Sequence, residues 1–126
     1  MPTTMPIDVR NIHAHEFIRT TPQGELDVSE SKRMLVEIVS AAAPSDDYDI
    51  LLDTRAAHSV LSIHDLWEIV DELQQYRQAL SRRTAVLVPV ERADYAEYFA
   101  DCARERGFQV RAFTSQGDAL EWLTGA

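Results

Sequence analysis

Two short apolar runs of this chain stand out, 50–52 within DILLD and 85–88 within TAVLVPV. Apolar runs this short, bounded by charge or proline, are the pattern of parallel strands buried on both faces. Pro89 marks the exit of the second, and FQVRAF at 108–113 supplies a third core strand. Before, between and after these runs the apolar positions recur at helical spacing. Asp27, with Glu30 three residues on, opens a helix whose stripe is Val28, Leu35, Ile38, Val39 and Ala42, and Pro44 ends it. Ser62 with Asp65 opens a second helix over about 62–80, expected to bury Ile63, Leu66, Trp67, Val70, Leu73 and Tyr76. A third runs through Tyr95, Phe99, Cys102 and Ala103 to a stop at Gly107. Ser115 with Asp118 caps a short last helix packing Ala119, Trp122 and Leu123.

Ahead of the first helix, IDVRNIHAHEFIRTTP places apolar residues at Ile7, Val9, Ile12, Phe17 and Ile18. It reads as a strand or hairpin closed by a turn at Pro22, Gln23 and Gly24, and residues 1–6 are expected to be flexible. The order is therefore ββαβαβαβα. Alternating strands and helices give an α/β fold with a mostly parallel sheet and right-handed crossovers. In open sheets of this kind ligands and modifications gather at the carboxyl ends of the strands. The stretch LLDTRAAHSVLSIHDLWEIV, from Leu51 to Val70, lies at that edge.

A chain of 126 residues makes one domain with a proper core, and its 45% apolar and 26% charged residues are ordinary for a globular protein. The formal charge of −9 repels phosphate backbones and anionic headgroups, which argues against nucleic acid and membrane surfaces as partners. A single cysteine, Cys102, excludes an intrachain disulfide and a cysteine-based zinc site, and its helical neighbours Phe99 and Ala103 suggest a buried thiol. The start, MPTTMPIDV, has no basic and apolar leader pattern, and no apolar run approaches the ~20 residues that span a bilayer. A soluble cytoplasmic protein is expected.

Candidate chemistry is sparse. Ser62 can cap its helix through the Asp65 N–H, and the same helix N-terminus would also stabilise a phosphate placed on that serine. Both uses need the same geometry. His58 and His64 flank it, yet no glycine occurs between Gly24 and Gly107, so neither a nucleophile elbow nor a P-loop can form there. His13 and His15 would share one face of a strand and could begin a metal site with Glu16 or Asp8, but no spacing specifies a third ligand. Asp53 and Thr54 end a strand in the manner of a response-regulator acceptor. The acidic cluster and lysine that such a site needs are missing, since the first strand offers His13 and His15 and the last is followed by RAFTSQGD. A small enzyme using His58 or His64 as an acid–base group is the competing class, behind a binding module or an apolar-ligand carrier, and no catalytic set, metal site or cofactor site is assigned.

Four fragments carry a resemblance: TPQGELD, ILLDTRAA running into SIHDLWE, RTAVLVPV, and above all the ending VRAFTSQGDALEWL. Together they resemble the STAS-like (SpoIIAA-like, STAS/SEC14-type) bacterial family, over most of the chain from Ile7 to Leu123. The resemblance implies a four- to five-stranded sheet with an N-terminal hairpin and about four helices, in a single non-enzymatic domain. It also implies a regulatory role through a protein partner, since relatives are anti-sigma-factor antagonists switched by phosphorylation of a serine opening the helix after the Asp-ended strand. Counted from Asp53 without a gap, Ser62 falls on that serine. Leu61, Ile63 and His64 stand where the family has aspartate, a second serine and glycine. The possible recognition or phosphorylation loop is thus Asp53, Thr54, His58, Ser59, Ser62 and His64. The lipid-transfer comparison in the family's name implies a second option, a small apolar ligand in a pocket that Trp67, Tyr95, Tyr98, Phe99 and Trp122 could line. A homodimer is also expected, because Trp122 is a large aromatic on a very short helix.

Overall fold

In the computed structural model, residues 7–8, 11–14, 17–42 and 49–124 are described. The strands are β1 (Ile7–Asp8), β2 (Asn11–Ala14), β3 (Phe17–Thr20), β4 (Gln23–Leu26), β5 (Asp49–Asp53), β6 (Ala57–Ser59), β7 (Arg83–Leu87) and β8 (Gln109–Phe113). The helices are α1 (Val28–Ala42), α2 (Ile63–Leu73), α3 (Ala93–Glu105) and α4 (Gln116–Leu123), with 3-10 turns at Gln74–Tyr76 and Val90–Arg92. Local chemistry sets the helix starts. Asp27 Oδ1 accepts from the Glu30 N–H at 2.8 Å, and Ser115 Oγ accepts from the Asp118 N–H at 3.3 Å. Gly107, at φ +94°, follows α3 in the left-handed region that glycine adopts without a Cβ clash.

The main sheet has the order β2-β3-β5-β7-β8. The β2–β3 pair is antiparallel and every other ladder in it is parallel. The strand alternation sorts its side chains onto two faces. Ile50, Val86, Val88 and Val110 meet Met34, Leu35 and Ile38 of α1 and Ala100 and Ala103 of α3. Leu51, Ala85 and Leu87 meet Phe17 and, from α4, Ala119 and Leu123. Helix α2 packs against α1 and α3, with Leu66 and Ile69 among Val28, Tyr98 and Phe99. Cys102 is a buried free thiol.

A second sheet has the order β1-β4-β6, with β4 and β6 parallel. It continues the β3–β5 pair with a change of register. Partner numbers differ by 32 in the first ladder (Phe17 with Asp49) and by 33 in the second (Gly24 with Ala57). One extra residue on the β5–β6 side acts as a bulge does, bending the pair and changing which face its side chains meet. Asp53 Oδ1 accepts the Arg55 N–H at 3.1 Å, and the Ala57 N–H reaches the Thr54 carbonyl at 3.0 Å, which folds the link.

These strands correct the expected order. Pro22, Gln23 and Gly24 do not close a hairpin; Gln23 and Gly24 lie in β4, where Gly24 at φ +98° pairs with Ile7 and Ala57. The second helix is also shorter than 62–80. It ends at Leu73 and tightens into the 3-10 turn, and its buried residues are Leu66, Ile69, Val70 and Leu73. Ile63 and Trp67 are exposed, because the arc of α2 that faces α1 and α3 is narrower than the apolar stripe. The expectations for residues 1–6, Val9, His15, Glu16 and Pro44 lie outside the described residues, as do the side-chain surroundings of Asp8, His13 and Ala42.

Candidate functional site at the carboxyl edge

The strand ends bring the loop residues to one edge but divide them between two faces. Asp53, the last residue of β5, points to the side of Leu51 and α4. Arg55 Nε donates to its Oδ1 at 3.0 Å and an Arg55 terminal nitrogen to Oδ2 at 2.9 Å, while Arg19 from β3 reaches Oδ2 at 3.1 Å. Gln116 Oε1 accepts from both guanidinium groups, at 3.0 Å from Arg19 and 3.1 Å from Arg55. Burial pushes the Asp53 carboxyl up, but hydrogen bonds from Arg55 and the charges of Arg55 and Arg19 outweigh it and hold the group below the usual carboxylate range. Both oxygens are engaged, so Asp53 here ties β3, β5 and α4 together. The adjacent Thr54 faces the other way and is tied down by its N–H and hydroxyl to the Leu87 carbonyl, at 2.8 and 3.0 Å.

Ser62 is exposed and forms a complete capping box. Its Oγ accepts the Asp65 N–H at 3.2 Å, and Asp65 Oδ2 accepts the Ser62 N–H at 2.9 Å. Ser62→Ala is expected to lower stability by about 1 kcal/mol, and Ser62→Asp, which caps and complements the dipole, to recover most of it. Thermal melts of the two variants check this. An alanine variant as stable as wild type would show that the cap contributes nothing. His58 and His64 are exposed, and neither bonds to Ser59 or Ser62: the Ser59 hydroxyl accepts from Arg92 at 3.2 Å and Ser62 serves the cap.

On the face opposite Asp53 lies an apolar cavity of about 110 Å³, walled by the small sheet and helices α1, α2 and α3. Leu26, Met34, Leu66, Val88 and Phe99 line it, with Thr54, Ser59, Arg92 and Tyr95 also in its wall. A second cavity of about 60 Å³ adjoins it toward the sheet centre; Ser31, Met34, Leu52, Val86 and Phe99 border both. Of the aromatics expected to line a pocket, Tyr95 and Phe99 do so. Trp67 and Tyr98 instead pair with each other on the outside of α2 and α3, ring centroids 6.4 Å apart, under Arg106. Trp122 sits across the sheet against Phe113, covered by Arg83 and Arg111. Sequence reasoning missed Arg92 and Ser31. Ser31 had a visible signal, since it falls on the apolar stripe of α1 between Val28 and Leu35. Nothing in the residues around Arg92 distinguishes it. Among the described residues no group of three or more His, Cys, Asp or Glu could hold a metal ion.

No protein-family model and no curated protein matches this sequence. Among solved structures, the chain is similar to an uncharacterized DUF3478-family protein with a SpoIIAA-like fold from Shewanella loihica PV-4. The two are 20% identical, with 98% of each chain covered and a TM-score of 0.62. It is also similar to an anti-sigma factor antagonist from Mycobacterium paratuberculosis, at 12% identity, 94% of each chain covered and a TM-score of 0.63. The chain therefore has the SpoIIAA-like α/β fold.

Proposed function

We propose that this chain is a non-enzymatic, cytoplasmic regulatory module that engages a protein partner at the carboxyl edge of its sheet. One observation carries this. Among the described residues, four of the six exposed large apolar side chains, Val60, Ile63, Val90 and Tyr95, lie in the segments that lead into α2 and α3 or on the first turns of those helices, whereas Trp67 lies farther along α2 and Val36 on α1. Val90 is 75% exposed and Ile63 44%. Apolar side chains gathered on one edge mark an interaction surface where scattered ones would not. The fold, shared with an anti-sigma factor antagonist, suits a protein partner. A chain carrying Ile63→Lys and Val90→Lys is expected to stay within about 0.5 kcal/mol of wild-type stability and to lose its partner in cross-linking from cell extract. Val36→Lys serves as the control and keeps the partner. Retention by the edge variant would overturn the proposal. A second copy is the first partner to test: the expected homodimer would use this edge, because Trp122 packs within its own domain, and sedimentation as a monomer at tens of micromolar would remove it.

The cavity supports a second reading, a sensor or carrier of a small apolar ligand. Tyr95 both lines the cavity and is exposed at the edge, so an occupant would touch a residue of the surface offered to a partner.

A further inference from the structure

Two polar groups in the cavity wall are out of keeping with an apolar chamber. The first is Ser31. It is only 5% exposed, it borders both cavities, and its Oγ meets no hydrogen-bond partner. A buried hydroxyl is normally hydrogen-bonded, and leaving it unpaired is unfavourable. The second is Arg92. Its guanidinium donates to Ser59 Oγ at 3.2 Å and to the Leu61 carbonyl at 2.9 Å, and lies 4.0 Å from the centre of the Tyr95 ring. No ion pair to Arg92 exists among the described residues, although the chain as a whole is strongly acidic.

We infer that the cavity binds a small organic acid: a carboxylate held by Arg92, an apolar body in the chamber, and a hydroxyl or carbonyl oxygen that meets Ser31. The inference rests on the apolar-ligand reading and adds the chemistry of the ligand. A carboxylate would give Arg92 the charge-assisted partner it lacks, which a neutral hydrocarbon does not. An oxygen on the body would satisfy Ser31 Oγ as donor or acceptor. Size sets the limit. A dry cavity of about 150 Å³ takes a benzene-sized guest, so the two chambers suit a body of roughly six to eight carbons.

Calorimetric titration of the whole chain with octanoate, octanol and a set of hydroxyoctanoates, the hydroxyl moved along the chain, tests this. Octanoate is expected to bind about ten- to a hundredfold tighter than octanol, and Arg92→Gln to abolish that preference while octanol binding persists. At least one hydroxyoctanoate is expected to bind roughly tenfold tighter than octanoate, an advantage that Ser31→Ala removes. In the absence of ligand, Ser31→Ala is expected to melt above wild type, because it deletes a buried hydroxyl that has no partner. Equal binding of octanoate and octanol overturns the role of Arg92, and no gain from any added hydroxyl overturns that of Ser31. In both cases the apolar-ligand reading survives. If none of the compounds binds, that reading falls as well.

Discussion

Leu51→Ala is expected to lower the stability of the folded chain by about 3–5 kcal/mol. Leu51 is fully buried in the middle of β5, on the face that α4 covers, among Phe17, Ala85, Leu87, Ala119 and Leu123. That layer is small and built partly of alanines, so little can move in to fill a truncated leucine. The cost is then the lost transfer of the side chain plus the cavity it leaves. The adjacent Leu52 gives the comparison. It faces the opposite side and borders both cavities, so part of its surface already lacks packing partners and its truncation forfeits fewer contacts. Urea unfolding of the two alanine variants should therefore rank Leu51 well above Leu52. Equal losses would show that the α4 face is no better packed than the cavity face.

The second large effect concerns Asp53. Replacing Arg19 and Arg55 together by alanine leaves a carboxylate that is only 7% exposed without a counter-charge, and should destabilise the chain by about 3 kcal/mol. That is the low end for breaking a buried pair, because both arginines stand partly in water and solvent can follow their removal. Asp53→Asn in the doubly substituted background should recover part of the loss by removing the stranded charge. The pH dependence has a definite sign. The folded carboxyl titrates below its unfolded value of about 3.9, so the contribution is complete above that value. It disappears as the pH falls through the lowered folded value. Melting temperatures of wild type and Asp53→Asn should therefore converge as the solution is acidified below about pH 4. Parallel curves would mean that the arginines do not hold Asp53 in its charged form.

Much of the fold was legible because its signals are local. DILLD and TAVLVPV announce buried strands by composition alone, and Asp27, Ser62 and Ser115 bond to N–H groups only three residues away. Strands β4 and β6 were not legible. QGEL buries only Leu26 and AHS buries nothing fully, so neither carries an apolar alternation, and each is a strand because the other runs beside it. The same non-locality hid the site. Arg92 matters only because Ser59 and Leu61 come to it from some 30 residues away, and Trp67 faces water because α1 and α3 close on a narrower arc of α2 than its stripe offers. The carboxyl edge was foreseeable from strand order; that Ala57 and Ser59 of β6 line the cavity depends on the single extra residue between β5 and β6.

The parallel ladders also bear on how fast the chain can fold. Apart from the β2–β3 hairpin, the main sheet has no pairing between strands close in sequence: β3 with β5, β5 with β7 and β7 with β8 join residues 32, 34 and 26 apart. Each requires a loop of that length to be closed before any ladder bond forms, and loop-closure entropy opposes every one of those steps. Such a topology folds more slowly than a helical bundle of equal length, however stable the product. The helices can form early from their own caps, whereas the small sheet, which joins residues 33 apart and caps the cavity, must wait for the β3–β5 ladder that aligns it. On this topology the cavity is expected to close late in folding, after the β3–β5 ladder is in place.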